Sequence, residues 1–510
     1  MSPEFKIIMR PSYSRILAAI SGLMLTAAVP PINLYVLGWV GLIPLFMALE
    51  KPSGSGFSEG FVSGLVFNTG TVYWLALNTG TYFWIATATM FASVLILATG
   101  WGVAAMLFRM IYKYNHTLAW FSIPFSWITF EGWLSHLGEI GFPWPLLALT
   151  QAEFNPVLQI MEYTGVWGTS FWVVTLNLLL FLGWRSNGIR KRLFIVAVLI
   201  CVSIPYIALN RAYKYYDAGL PVVSVSCVQG NVDPLDKWRS DPIMSWAIYD
   251  SLSRKGSPHG LDLLVWPETA LPIKLPVMSH YTKLITDLSR ELNCSIITGA
   301  SARQKYKGIT RPLNSAYLIT SENGIADRGA KRFLVPFGER VPFQAIFPAL
   351  GNLNFGQAEF LPDLRQNIFE ISTKVGICRF PVLICFESAF SGLARDAVLS
   401  GANFLVTISN DGWYGSSSEP HQIAALSRFR CIETRRSMAR AANTGISLIA
   451  DPLGRVISSS PLEISARISA SVPLVSDITF FVKHGNWFLV LVTFIYGVCL
   501  AYVLYRKLKF

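Results

Sequence analysis

Charged side chains are scarce in this sequence: Asp, Glu, Lys and Arg make up 14% of 510 residues, against 52% hydrophobic and 13% aromatic. So little charge beside so much apolar surface excludes disorder, and uncharged runs long enough to span a bilayer recur. Acid is scarcer than base, leaving a net charge of +12. The Lys and Arg fall in short clusters beside apolar segments, where they set membrane orientation, so no nucleic-acid partner is indicated. Cysteine is sparse too: Cys201, Cys227, Cys294, Cys378, Cys385, Cys431 and Cys499 are odd in number and lack C-x-x-C spacing. That excludes a disulfide scaffold and a zinc site, and leaves at least one thiol free. The six histidines (His116, His136, His259, His280, His421 and His484) show no i, i+4 or H-x-E pairing, and no glycine-rich phosphate loop occurs. No catalytic metal and no cofactor is expected.

What is abundant is apolar sequence. Ile16 to Leu49 carries no charge and is divided by Pro30 and Pro31, which predicts two short spans joined by a turn. Phe61 to Phe108 is also uncharged, too long for one span, and has Asn78-Thr79-Gly80 as its turn. Further spans are expected over Thr117–Trp133, Val157–Trp184, Leu193–Leu209 and Trp487–Tyr505, about eight in all. With eight spans every basic cluster falls on one side: Lys6, Arg10 and Arg15; Lys51; Arg109 and Lys113; Arg185 and Arg190 to Arg192; Arg506, Lys507 and Lys509. That side is the cytoplasm by the positive-inside rule. A cleaved signal peptide ending near Ala27-Ala28 is the alternative for the first run, but an immediate second span favours retention. The expected organisation is a membrane unit over residues 1–210 with about seven spans, a periplasmic unit over 211–484, and a last span with a basic cytoplasmic tail over 485–510.

After Arg211 short β-branched runs alternate with amphipathic helical patterns. Val222–Val228, Leu261–Trp266, Cys294–Thr298, Ala316–Thr320, Val382–Cys385, Phe404–Ser409 and Ile446–Ala450 read as strands. Pro242–Lys255, Tyr281–Leu292, Ala389–Ser400 and Gln422–Arg440 read as helices. The alternation predicts one layered α/β unit with buried sheets. Val341–Ala358 has no charge and is rich in Phe, Pro and Gly, either as buried core or as a lid meeting lipid; the sequence leaves both open.

Three local sequences put a reactive side chain at a strand end beside aromatic or Gly/Pro punctuation: Trp266-Pro267-Glu268, Lys331 followed by Pro336-Phe337-Gly338-Glu339, and Leu383-Ile384-Cys385-Phe386-Glu387. A thiol near its ordinary pKa of about 8.5 needs a base or a neighbouring cation to become a nucleophile. Glu268 can be that base. Lys331, with the Phe386 backbone N–H, can hold an oxyanion. Gly56-Phe57-Ser58-Glu59-Gly60 matches G-x-S-x-G, but it lies between spans with no strand before it, so it is expected to be chance.

In this order the three sequences resemble the nitrilase, or carbon-nitrogen hydrolase, superfamily, and Ser409–Gly415 and Arg440–Ser447 resemble its downstream segments. With spans on both sides, and with Val228–Asn231, Lys237-Trp238 and Gly141–Trp144, the chain resembles the membrane-embedded branch, the bacterial apolipoprotein N-acyltransferases. Arg332-Phe333 stands where several relatives have Asn and His. The resemblance implies a polytopic helical domain with an αββα sandwich, and catalysis by Glu268, Lys331 and Cys385. Glu339 is expected to position Lys331, and Glu387 and Phe386 to support the site. It further implies an inner-membrane enzyme that takes an acyl chain from a phospholipid donor, through a Cys385 thioester, to a diacylglyceryl apolipoprotein acceptor. Trp238, Trp413, Tyr414, Trp144, Phe343 and Phe347 are expected to contact substrate or membrane lipid. A membrane-tethered amidase with water as acceptor is the alternative. A transporter or receptor with a retired hydrolase domain is opposed by the complete set of three residues.

Overall fold

The computed structural model describes residues 11–508 except 51–53, 217–218, 257–259, 307–308, 345 and 348–358. Lys6, Arg10, Lys51, Lys509 and His259 lie outside the described residues, as does most of the Val341–Ala358 segment.

All eight predicted spans coincide with helical structure. Among the described residues, Phe57–Leu77, Phe83–Tyr114, Val166–Arg185, Gly188–Tyr216 and Trp487–Leu508 are long and apolar enough to cross a membrane. The others are Pro11–Ala28, His116–Ser135 with Pro124 inside it, and a pair, Val36–Val40 and Ile43–Glu50. The predicted Val157–Trp184 span starts late. Gly165 at φ 63° breaks it, leaving the short helices Asn155–Leu158 and Met161–Thr164 outside a span that begins at Val166. Contacts gather the basic ends of the helices at one end of the bundle. Arg185 pairs with Glu50, the Arg109 guanidinium donates to the Leu49 carbonyl at 2.7 Å, and Ser14 donates to Glu59 at 2.9 Å. The Gly56–Gly60 segment runs into the start of the helix Phe57–Val72, and among the described residues no strand precedes it.

The second half is built on thirteen strands among the described residues: β1 Val222–Gln229, β2 Leu263–Val265, β3 Ser295–Tyr306, β4 Ile309–Thr320, β5 Gly324–Ala330, β6 Phe369–Thr373, β7 Gly376–Phe380, β8 Val382–Ile384, β9 Leu405–Ser409, β10 Met438–Ala442, β11 Leu448–Ala450, β12 Val456–Ser459 and β13 Ala466–Pro473. One sheet runs β13-β1-β2-β3-β4-β5 and a second β12-β11-β10-β9-β8. Alternation decides which side chains meet between them. Val223, Val225 and Cys227 of β1 and Leu263 and Val265 of β2 pack against Val406 and Ile408 of β9 and Ala439 and Ala441 of β10. The intervening residues face helices. Val228, Leu264 and Ile296 meet Trp246 and Tyr249 of Pro242–Arg254 and Ile285 of Ser279–Leu292. On the other outer face Leu405 and Met438 meet Leu393 of Ser391–Leu399 and Cys431 of Glu419–Thr434. The result is four layers, helix–sheet–sheet–helix.

The predicted Gln422–Arg440 helix is corrected at its end. The helix stops at Thr434, Arg435 turns left-handed at φ 52°, and Met438–Ala442 becomes the middle strand of the second sheet. Met-Ala-Arg-Ala-Ala favours helix intrinsically, but burial on both faces overrides that preference.

The sheet unit docks on the end of the bundle away from the basic clusters, and Gln422 is the main tie. Its Oε1 accepts from the indole N–H groups of Trp74 (3.2 Å) and Trp144 (2.6 Å), and its Nε2 donates to the carbonyls of Pro30 (3.2 Å) and Thr71 (3.1 Å). Every donor and acceptor position of that amide is thereby used, and removing it would strand buried polar groups at about 1–3 kcal/mol each. The Thr79 N–H, in the predicted Asn78–Gly80 turn, donates to the Trp413 carbonyl at 2.9 Å.

Candidate active site

Glu268 leaves the end of β2, and a close backbone approach makes room for its turn. A Cβ at Gly299 would stand 2.5 Å from the Thr269 nitrogen and 2.7 Å from the Glu268 Cα, so glycine is needed there. Lys237, buried, donates from Nζ to the carbonyl of Thr269, a residue held at φ 45°. The Glu268 carboxylate is fixed at both oxygens: Oε1 accepts from Asn314 Nδ2 (2.6 Å) and Oε2 from the Asn410 backbone N–H (2.9 Å). Asn410 follows β9, and its own side-chain oxygen accepts from Asn443 at 3.0 Å. The Ser409–Gly415 and Arg440–Ser447 segments thus brace the carboxylate.

Lys331 follows β5, its N–H donating to the Asn314 carbonyl at 2.8 Å and its carbonyl accepting from Asp363 at 2.9 Å. The buried ammonium lies between two carboxylates, 2.9 Å from Glu339 Oε1 and 3.9 Å from Glu268 Oε1. Asn314 Nδ2 also reaches Glu339 Oε1 at 3.3 Å, and the second Glu339 oxygen accepts from the Val335 N–H at 2.9 Å.

Cys385 ends β8 in the left-handed region, φ 54°, at a sharp strand-to-3-10 turn. Such a conformation costs a non-glycine residue about 1–3 kcal/mol. Glu387 holds it: Oε2 accepts from the Ile384 N–H (2.8 Å), and Oε1 from the N–H groups of Arg332 (2.6 Å) and Phe333 (3.1 Å). Three hydrogen bonds to one buried carboxyl contribute about 0.5–1.5 kcal/mol each, enough together to offset the strain. They also tie the cysteine turn to the lysine loop.

Charge and burial set the protonation states. Burial pushes the Glu268 carboxyl up; Lys331 pulls it down, Glu339 and Asp411 push further, and the net displacement is upward. Burial, and then Glu268, raise the Cys385 thiol, with Lys331 opposing. Burial alone would lower the Lys331 ammonium, but Glu339, Glu268 and Cys385 outweigh it and raise its pKa. At rest the arrangement is a thiol, an ammonium and a carboxylate with increased proton affinity. Lys237 is displaced the other way, by burial, to about 8.

Cys385 opens into a cavity of about 460 Å³ shared by the two halves. Phe386, Tyr414, Val335 and Phe343 line it from the sheet unit, and Trp74, Trp84, Leu97 and Trp144 from the helices. Trp84 is also 69% exposed on the outer surface of the bundle, beside exposed Tyr82 and Phe83, so the apolar cavity reaches a surface of the kind that faces lipid. The six aromatics expected to contact substrate separate here. Trp144, Tyr414 and Phe343 line the cavity; Trp238, Trp413 and Phe347 do not. Trp144 is fully buried, its indole spent on Gln422, and Trp238 is half exposed. In the described part of the Val341–Ala358 segment, Val341 is buried while Ile346 and Phe347 are exposed.

Sequence reasoning passed over Asn314 and Gln422 as functional residues, and it gave Lys237 and Asn410 no role of their own within the segments that carry the resemblance. A buried Asn within the apolar run Leu313–Thr320 was the one available signal, since Asn is disfavoured in strands unless its amide is used.

Residues 224–476 match the family model described as Carbon-nitrogen hydrolase, and residues 21–179 that described as Apolipoprotein N-acyltransferase N-terminal domain. The chain is 34% identical over 504 residues to an apolipoprotein N-acyltransferase of Geobacter metallireducens, covering 95% of this chain and 94% of that one. It is 30% identical over 507 residues to that of Chlorobaculum tepidum, covering 92% of each. Among solved structures, an amidase of Nesterenkonia sp. is similar at 17% identity and a TM-score of 0.38, covering 52% of this chain and 96% of that one. The class is therefore an enzyme with a carbon-nitrogen hydrolase unit carried by apolar helices. The chain belongs to the apolipoprotein N-acyltransferase family. It is a membrane protein and an acyltransferase, and the tethered-amidase alternative does not stand.

Proposed function

We propose that Cys385 accepts an acyl chain from a phospholipid and passes it to the N-terminal amine of a diacylglyceryl apolipoprotein. The carrying observation is the apolar cavity that joins Cys385 to the exposed Trp84 surface. Glu268 removes the thiol proton as sulfur attacks the sn-1 ester carbonyl, and Lys331 stabilises the oxyanion that develops. Collapse expels the lysophospholipid alkoxide, which takes the proton back from Glu268 and leaves a thioester. The acceptor amine then attacks the thioester, giving an amide and regenerating the thiol. Glu339 holds Lys331 in place, and Glu387 holds the cysteine turn. The apolar walls of the cavity disfavour water, which lets the thioester survive until an amine arrives.

The test is a reaction of the purified enzyme in detergent with phospholipid and a diacylated lipopeptide, read by mass analysis. An amide-linked third acyl chain together with lysophospholipid is expected; free fatty acid as the sole acyl product would overturn the assignment.

The reading places the enzyme in the inner membrane, with the unit from Arg211 to His484 on the periplasmic side, residues 1–210 as the membrane unit, and 485–510 as a final span with a cytoplasmic tail. Support comes from the basic helix ends clustered at the end of the bundle opposite that unit. A single cysteine placed in the exposed Glu322-Asn323 turn is expected to react with a membrane-impermeant maleimide in intact spheroplasts. Labelling only after lysis would reverse the orientation.

A further inference from the structure

We propose that Glu419 positions the donor lipid, its Oε2 hydrogen-bonding an oxygen of the ester that Cys385 attacks. The inference rests on the reading of Cys385 as the acylated residue and assigns a role to a side chain that reading leaves idle.

Glu419 opens the helix Glu419–Thr434 and is 2% exposed. Among the described residues lining the Cys385 cavity it is the one carboxyl, the other walls being apolar, aromatic, thiol- or hydroxyl-bearing. Its Oε2 is buried and has no hydrogen-bond partner. A carboxylate in the first turn of a helix ordinarily accepts from free backbone N–H groups or pairs with a cation. This oxygen does neither: Arg440, whose charge bears on Glu419, gives its Nη2 to Asp411 at 2.7 Å, and its Nη1, buried and likewise without a hydrogen-bond partner, does not reach the Glu419 carboxyl. An orphaned polar atom in an apolar cavity gains most from a polar atom of whatever fills that cavity.

The chemistry of the occupant follows from the state of the group. Burial, and then Asp411, push the Glu419 carboxyl well above the ordinary carboxylate range, with Arg440 only partly opposing, which favours the protonated form, a hydrogen-bond donor. An ester offers acceptors and no donors, so it complements an O–H group. An ammonium offers only donors and would meet a neutral carboxyl poorly. The fit is therefore to the lipid ester of the first half-reaction. A hydrogen bond there fixes the carbonyl face presented to the sulfur, and no proton needs to change hands.

The experiment separates the two half-reactions in the full-length enzyme in detergent. With phosphatidylethanolamine and no acceptor, the rate of Cys385 acylation is followed by intact mass against lipid concentration. The preformed thioester is then chased with a diacylated lipopeptide. Glu419→Leu is expected to slow acylation about tenfold, as the loss of one oriented hydrogen bond does, and to leave the chase rate unchanged. Glu419→Gln keeps a donor and is expected within about threefold of wild type. If Glu419→Leu fails to fold, Glu419→Ala against Glu419→Gln makes the same comparison. Acylation at the wild-type rate in Glu419→Leu overturns this proposal alone. So does a Gln variant as slow as Leu, which would mean that charge or a proton matters. A wild-type enzyme that never acylates Cys385 overturns the underlying reading and this proposal together.

Discussion

Glu268→Gln is expected to slow acylation of Cys385 by about 10²–10⁴-fold, the range for removing a positioned general base, while the protein stays folded. The amide oxygen can still accept from the Asn410 N–H, which now meets Glu268 Oε2 at 2.9 Å, and the amide N–H can donate to the unpartnered Asn314 Oδ1 once the Asn314 amide turns over. What is lost is the proton acceptor, and nothing else can start the reaction, because the Cys385 thiol is itself held up by burial and by Glu268. The same displacements fix the sign of the pH dependence. The base works when ionised, and its folded pKa lies above the ordinary carboxylate range. Acylation should therefore rise with pH through a midpoint above about 4.3, the unperturbed Glu value, and be lost as pH falls through it. Rapid-quench mass measurements of the thioester from pH 4 to 8 check both points. A Gln variant acylating at the wild-type rate would remove Glu268 from the role of base.

Lys331→Met should cost about 10²–10³ in the same step, as loss of an oxyanion donor does. It also removes the ammonium between Glu268 and Glu339, which stand 3.9 and 2.9 Å from it. Two buried carboxylates left without it repel, and one of them retains its proton. The acid limb of the pH profile should then move to higher pH than in wild type, a shift that mere loss of an oxyanion contact would not produce. A Met variant with reduced rate and an unmoved limb would confine Lys331 to the oxyanion. One with the full rate would remove it from the mechanism.

The sequence made the layered unit and the three reactive strand ends legible for a common reason: both are local patterns. β-branched runs between amphipathic helices announce β1, β2, β8 and β9, and Trp-Pro-Glu or Ile-Cys-Phe-Glu mark where such runs stop. Failures came where a distant partner decides. Met438–Ala442 looks helical by itself and is a strand only because β9 and β11 enclose it. The long β3–β4 pair was foreshortened because Arg303, Lys305 and Arg311 break the apolar pattern at its far end. β5 to β7, β12 and β13 carry too few consecutive apolar residues to stand out. Within the site, Asn314 matters because it spans two carboxylates from different segments, and Gln422 because Pro30, Thr71 with Trp74, and Trp144 converge on it from three separate stretches of chain. Neither convergence leaves a mark in the neighbouring sequence. Trp144 lines the cavity while buried against Trp74 and Phe386, a placement that an aromatic beside Pro does not by itself announce.

The measurement closest to the central claim is the intact mass of the enzyme after incubation with phospholipid and no acceptor. The mechanism predicts a gain of one fatty acyl group, located on Cys385, removed by hydroxylamine as a thioester is, and absent in Cys385→Ala. A stable acyl adduct on another residue, or triacylated lipopeptide made by Cys385→Ala at the wild-type rate, would contradict it.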